Sequence, residues 1–215
     1  MKKPRVLMAD DHSLILAGLR KLVEAECDVV GAVEDGRALV EAAQKLRPDL
    51  ILLDISMPLL NGLDAARQLR KLVPESKVIF LTMHASPTYA TEAFQAGASG
   101  YLLKRSAASE LGLAIKSVLQ GQHYLTPALT KDVLESVLKP STGEAVKAEC
   151  ATLTDRQREV LQLVAEGHGT KEIATILNVS VKTVEFHKSR VMQQLDLHTT
   201  ADLTKYAITH GITGL

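Results

Sequence analysis

Tryptophan is absent from this 215-residue chain, aromatic residues make up only 3% of it, and neither charge predominates, with 25 Lys+Arg against 25 Asp+Glu. So few aromatics argue against the base-stacking mode of single-strand recognition. The charge balance excludes a global basic field and an acidic tail, so any binding to a polyanion must come from local placement of cations. Cysteine is scarce as well. Cys27 and Cys150 stand far apart with no CxxC or Cys/His spacing, which argues against a zinc site or a disulfide framework and suits reduced thiols. His168, His187, His198 and His210 also lack metal-site spacing. No stretch approaches the roughly 18 apolar residues of a membrane span, and the start, Met1 to Arg5, leads into a strand-like run rather than a signal-peptide core. The expectation is a soluble, cytoplasmic protein with no membrane partner.

What is present is 46% hydrophobic residues, enough to build two cores of ordinary size in a chain of this length. Short apolar runs such as Val6–Ala9, Leu50–Leu53 and Tyr101–Leu103 read as strands buried on both faces, the pattern of a parallel sheet covered by helices. Strands near 5–9, 29–33, 50–53, 77–81 and 100–103 alternate with helices near 13–25, 36–46, 63–72, 87–96 and 107–120. Five βα units predict an α/β fold with a doubly wound, five-stranded parallel sheet. Ser86 and Pro87 supply an N-cap and a first helical proline, while Gly97 and Gly121 end helices.

Thr126 and Pro127 open a further helix with Leu129, Val133, Leu134, Val137 and Leu138 on one face, until Pro140 stops it. Residues 122–149 therefore read as a helical linker between a first domain at 5–121 and a second at 150–215, with Ser141 to Glu149 its polar stretch. The strands then vanish. Thr154 and Gln157 have the spacing of a capping box, and helices follow near 155–166, 171–177, 181–195 and 200–209. Gly167 closes the first, and Thr170, Ser180 and Thr199 or Thr200 cap the others.

Four polar residues, Asp10, Asp11, Asp54 and Lys104, stand where strand-like runs stop, and ligands in such sheets bind at the strands' carboxyl ends. Three crowded carboxylates repel one another unless a cation sits among them, and Mg²⁺, which takes a few carboxylates with water and phosphate oxygens, meets that need. A carboxylate can also attack a phosphoryl group and hold it as an aspartyl phosphate. Asp54, ending the central strand, is the candidate nucleophile, with Asp10 and Asp11 placed to hold metal. Lys104 would neutralise one phosphoryl oxygen, and Thr82 would donate its hydroxyl to another.

These residues, together with Met57, Pro58, Asn61, Gly62 and the segment Gly100–Lys104, resemble the receiver domain of bacterial response regulators over residues 5–120. The resemblance implies a flavodoxin-like fold, Asp54 as phosphoacceptor, a backbone carbonyl of Ser56 on the metal, and Thr82 and Tyr101 as a switch pair. Many receivers follow the lysine with proline, whereas Arg105 follows here.

In the second domain, a helix, the short turn Asn178 to Ser180 and a second helix make a helix-turn-helix, whose second helix can enter the major groove. The segments Leu153–Leu161, Lys171–Ala174 and Val179–His187 resemble the LuxR-type domain of NarL/FixJ regulators. Val184, Val191 and Leu195 fall at core spacing. Lys182, Glu185, Phe186 and Ser189 line the outward face as candidate base contacts, flanked by Thr183. Lys182, His187, Lys188 and Arg190 are candidate phosphate partners, as are the amides after Thr170 beside Lys171. Two roles stay open to Phe186: touching a thymine methyl, or packing within the domain.

The expected function is a DNA-binding transcriptional regulator. A sensor histidine kinase phosphorylates Asp54, the receiver changes state, and a homodimer binds double-stranded promoter DNA. Two rivals remain: a metal-dependent phosphatase or phosphotransferase using Asp54, although Ser56 stands where such hydrolases place a second acid, and a receiver-linked module that binds protein or RNA.

Overall fold

The computed structural model describes residues 3–138 and 153–213, so the expected linker Ser141 to Glu149 and Cys150 lie outside the described residues. The chain divides into two compact units.

The first unit is built on β1 (Arg5–Ala9), β2 (Asp28–Val33), β3 (Leu50–Leu53), β4 (Lys77–Thr82) and β5 (Gly100–Leu103), with the flavodoxin-like order β2-β1-β3-β4-β5, all parallel. Every residue of β3 and β5 is buried, as strands covered on both faces require. Helices α1 (Ser13–Val23) and α5 (Ala107–Leu119) cover one face, where Leu16, Leu19, Leu111 and Ile115 pack on Val6, Met8, Leu50, Leu52 and Ile79. Helices α2 (Gly36–Leu46), α3 (Gly62–Leu72) and α4 (Pro87–Ala96) lie over the alternate strand residues. Ser86 caps α4 through the Thr88 amide with Pro87 in the first turn, and Gly97 ends the helix at φ +107°.

The sheet has six strands rather than the five expected. Strand β6 (Tyr124–Leu125) pairs in parallel with β5, the Tyr124 amide donating to the Ser99 carbonyl at 3.0 Å and the Thr126 amide to the Tyr101 carbonyl at 3.0 Å. Two residues are too short to display alternation, so only the tertiary pairing reveals this strand. The Thr126 hydroxyl, fully buried, accepts from the Leu103 amide at 3.2 Å. Helix α6 (Pro127–Leu138) then packs against α4, burying Leu129 but leaving Leu134 exposed on the face expected to be apolar. Residues 122–138, read from sequence as the start of a linker, are thus part of the first unit.

The second unit holds α7 (Asp155–Ala165), α8 (Thr170–Ile176), α9 (Val181–Gln194) and α10 (Thr200–Thr209). Thr154 and Gln157 form the expected capping box, and Thr199 and Asp202 form another at α10. Ser180 caps α9 by accepting from the Thr183 amide at 3.1 Å. The cap of α8 is Gly169, not Thr170, because the Glu172 carboxylate reaches back to the Gly169 amide at 2.8 Å and Thr170 becomes the first helical residue. Leu161, Ile173, Val184, Val191, Leu195 and Leu203 share one core.

Candidate functional site

Strand register assembles the pocket of the first unit. Ala9 pairs with Leu53, and the Asp54 amide donates to the Ala9 carbonyl at 3.0 Å, so Asp10 and Asp54 emerge side by side where β1 and β3 end. Thr82 pairs with Leu103, which puts Lys104 just past the edge of the same rim. The Lys104 ammonium closes the group, standing 2.7 Å from Asp10 Oδ2 and 2.7 Å from Asp54 Oδ2. The other Asp54 oxygen accepts from the Ile55 amide at 2.7 Å.

Two buried carboxylates share one ammonium, which leaves negative charge uncompensated. Burial pushes the Asp54 carboxyl above the ordinary carboxylate range, against the opposing pull of the Lys104 hydrogen bond and charge. Burial works the other way on Lys104, yet its hydrogen bonds to Asp10 and Asp54 and their charges prevail and raise it. Oxygen donors and a surplus negative charge at the strand ends fit a hard divalent cation.

The expected metal set is brought together only in part. Asp10 and Asp54 meet at Lys104, whereas the Asp11 carboxylate turns to His12, 2.7 Å from its Nδ1, and the His12 amide donates to Asp10 at 3.0 Å. Among the described residues, Asp10, Asp11 and His12 offer ligand atoms within 4.8 Å of one another. The Ser56 hydroxyl bonds His84 Nε2 at 2.9 Å.

His84 is the residue that sequence reasoning missed. Its amide donates to the Thr82 hydroxyl at 3.3 Å, its carbonyl accepts from the Tyr101 hydroxyl at 2.7 Å, and its ring stacks on Tyr89 with centroids 4.4 Å apart. Thr82 and Tyr101, expected as a switch pair, are both fully buried and meet through this one backbone. Burial, then the charges of Tyr89, Asp54 and Glu92, push the Tyr101 phenol well above its usual range. The only local signal was position, two residues past Thr82 on the same loop.

Gly62 shows a second hidden constraint. Its amide bonds the Ile55 carbonyl at 2.8 Å, and a Cβ there would fall on the Asp54 backbone carbonyl and 3.0 Å from the Ile55 Cα. Only glycine fits so close beneath the pocket. After β5, Lys104 to Ser106 form a short 3₁₀ turn, and no cis peptide occurs among the described residues.

In the second unit, α8, the turn at Asn178 and α9 form the expected helix-turn-helix, Asn178 taking a left-handed φ of 51°. Val184 and Val191 face the core, while Lys182, Glu185, Phe186, Ser189 and Arg190 are exposed on α9. Phe186 is 56% exposed, so it does not pack into the domain core. Thr183, His187 and Lys188 are half-buried at the flanks. The Thr183 hydroxyl bonds Ser180 Oγ at 2.8 Å and the Lys188 ammonium bonds Thr200 Oγ1 at 3.0 Å. Thr170 is half-buried and Lys171 exposed at the start of α8. Among the described residues no helix is long and apolar enough to cross a membrane.

Comparison with known proteins agrees with this arrangement. Residues 6–116 match the response regulator receiver domain family, and residues 151–207 match the luxR family of bacterial regulatory proteins. Response regulator UvrY of Escherichia coli is 34% identical over 209 residues, covering 96% of this chain and 94% of that protein. Oxygen regulatory protein NreC of Staphylococcus epidermidis is 36% identical over 213 residues, covering 95% and 96%. Among solved structures, RcsB from Salmonella enterica serovar Typhimurium, bound to a promoter in the presence of phosphomimetic BeF3−, aligns with a TM-score of 0.59 and 28% identity. That alignment covers 99% of this chain and 100% of the RcsB chain.

Proposed function

We propose, given that the chain belongs to the response-regulator family that joins a receiver domain to a luxR-type regulatory domain, that Asp54 is its phosphoacceptor and promoter DNA its target. One observation carries the reading: Asp10 and Asp54 end adjacent strands on a shared ammonium, in a chain whose other unit exposes a helix-turn-helix.

In this reading an Asp54 oxygen attacks the phosphorus of a kinase phosphohistidine. The N–P bond breaks, an acyl phosphate forms, and the leaving imidazole takes up a proton. Lys104 moves its contact from the carboxylate to a phosphoryl oxygen. Asp10 and Asp11, with Asp54 and the Ser56 carbonyl, would hold Mg²⁺, which when bound supplies positive charge against the transferred group. The Thr82 hydroxyl turns to another phosphoryl oxygen, and because the His84 amide now bonds that hydroxyl, the loop joining β4 to α4 must readjust. Tyr101, tied to the His84 carbonyl, reports the change on the α4 side.

The outcome is a homodimer whose α9 helices enter successive major grooves of duplex DNA. Titrating promoter DNA with wild type, with and without acetyl phosphate, and with Asp54→Ala tests this. Tighter binding only by phosphorylated wild type is expected, and equal affinity in all three would overturn it.

A further inference from the structure

The outward face of α9 carries a pairing that neither its core role nor simple charge attraction explains. Phe186 is 56% exposed, and the Arg190 guanidinium carbon stands 5.5 Å from its ring centroid. Residues four apart share a helix face, so both project to the same side. The His187 ring also meets it edge-on, with centroids 5.5 Å apart and planes at 72°.

A guanidinium 5.5 Å from a ring that offers it no hydrogen-bond acceptor keeps its N–H fork for other partners, and that fork matches O6 and N7 of guanine. Phenylalanine offers no donor or acceptor, and the one apolar group that a major-groove base edge presents is the thymine methyl. Thymine and guanine do not share a Watson–Crick pair, so two groups only 5.5 Å apart that read one each read neighbouring pairs. We propose that Phe186 and Arg190 act as one reading unit for a T·A pair beside a G·C pair, Phe186 covering the thymine methyl and Arg190 gripping the guanine. Arg190 is then a base reader rather than the phosphate partner that its charge alone suggests. The unit rests on the duplex-binding function proposed above and names the sequence feature it selects.

The test uses the full chain with acetyl phosphate. Duplexes are selected from a randomised library, and each thymine in the enriched sequence is replaced in turn by deoxyuridine, which removes only the methyl group. At one thymine next to a guanine, wild type is expected to bind about fourfold more weakly to the deoxyuridine duplex, the worth of one buried methyl group. Phe186→Ala is expected to bind the two duplexes equally, and Phe186→Leu to keep part of the difference. Arg190→Ala is expected to lose its preference for the neighbouring guanine while still distinguishing thymine from deoxyuridine. Equal wild-type affinity for both duplexes at every thymine overturns the unit. So does Arg190→Ala weakening all duplexes alike with a shallower salt dependence, the mark of a phosphate contact. If no sequence is enriched at all, the duplex-binding function fails and the unit falls with it.

Discussion

Lys104 Nζ and Asp54 Oδ2 stand 2.7 Å apart with their side chains only 8% and 6% exposed, and the same ammonium reaches Asp10 Oδ2 at 2.7 Å. One buried cation thus serves two buried anions and offsets only part of their charge.

Replacing Lys104 by alanine leaves both carboxylates without their counter-charge. A loss of about 3 kcal/mol of unfolding free energy is expected, because removing one partner of a buried pair leaves charge in a poorly solvated site. Urea unfolding measures it. Added Mg²⁺ should restore part of the loss, and a variant as stable as wild type would contradict the charge account.

Gly62→Ala forces a methyl group against the Asp54 carbonyl. Local backbone displacement is expected to cost roughly 1–3 kcal/mol, as overpacking does. It should also slow labelling of Asp54 by acetyl phosphate, since the displaced atoms carry that side chain. Intact-mass measurement over time reports the rate, and wild-type labelling with wild-type stability would show that the loop yields freely.

Tyr101→Phe keeps the ring but leaves the His84 carbonyl without its donor. About 1 kcal/mol of stability should be lost, the usual net worth of one hydrogen bond. Tyr101→Ala, which empties a fully buried aromatic site, should cost several-fold more, on the order of 3–5 kcal/mol. Similar losses in the two variants would mean that the ring contributes little.

At α10, hydrogen bonds from the Thr199 hydroxyl and amide hold the Asp202 carboxyl below its usual range. A carboxyl depressed in the folded state contributes stability above its unfolded value, and that contribution is lost as pH falls through the folded value. Asp202→Asn should therefore be less stable than wild type at neutral pH, with the difference shrinking as acid titrates the carboxyl. Denaturation of both proteins across that range checks the sign, and a gap that widens toward acid would refute it.

Much of the pocket was legible because each residue stands at the end of a run whose apolar pattern marks a buried strand. Asp10, Asp54, Thr82 and Lys104 needed no contact to be noticed, only their position. His84 escaped because nothing in its neighbours distinguishes a histidine whose ring, amide and carbonyl are each engaged by a different partner. The cap of α8 was misplaced by one residue because Thr170 is a good capping type. The Glu172 carboxylate, reaching back to Gly169, decided the matter.

The sequence by itself determined the alternation of strands and helices and the capping box at Thr154, since periodicity and caps act between residues a few positions apart. Only the tertiary structure decided that Ala9 faces Leu53, that one ammonium serves carboxylates from two strands, that Thr82 and Tyr101 meet through His84, and that β6 closes the edge of β5. Those relationships join residues tens of positions apart, where no local propensity acts. Strand register and the requirement that buried polar groups find partners select them.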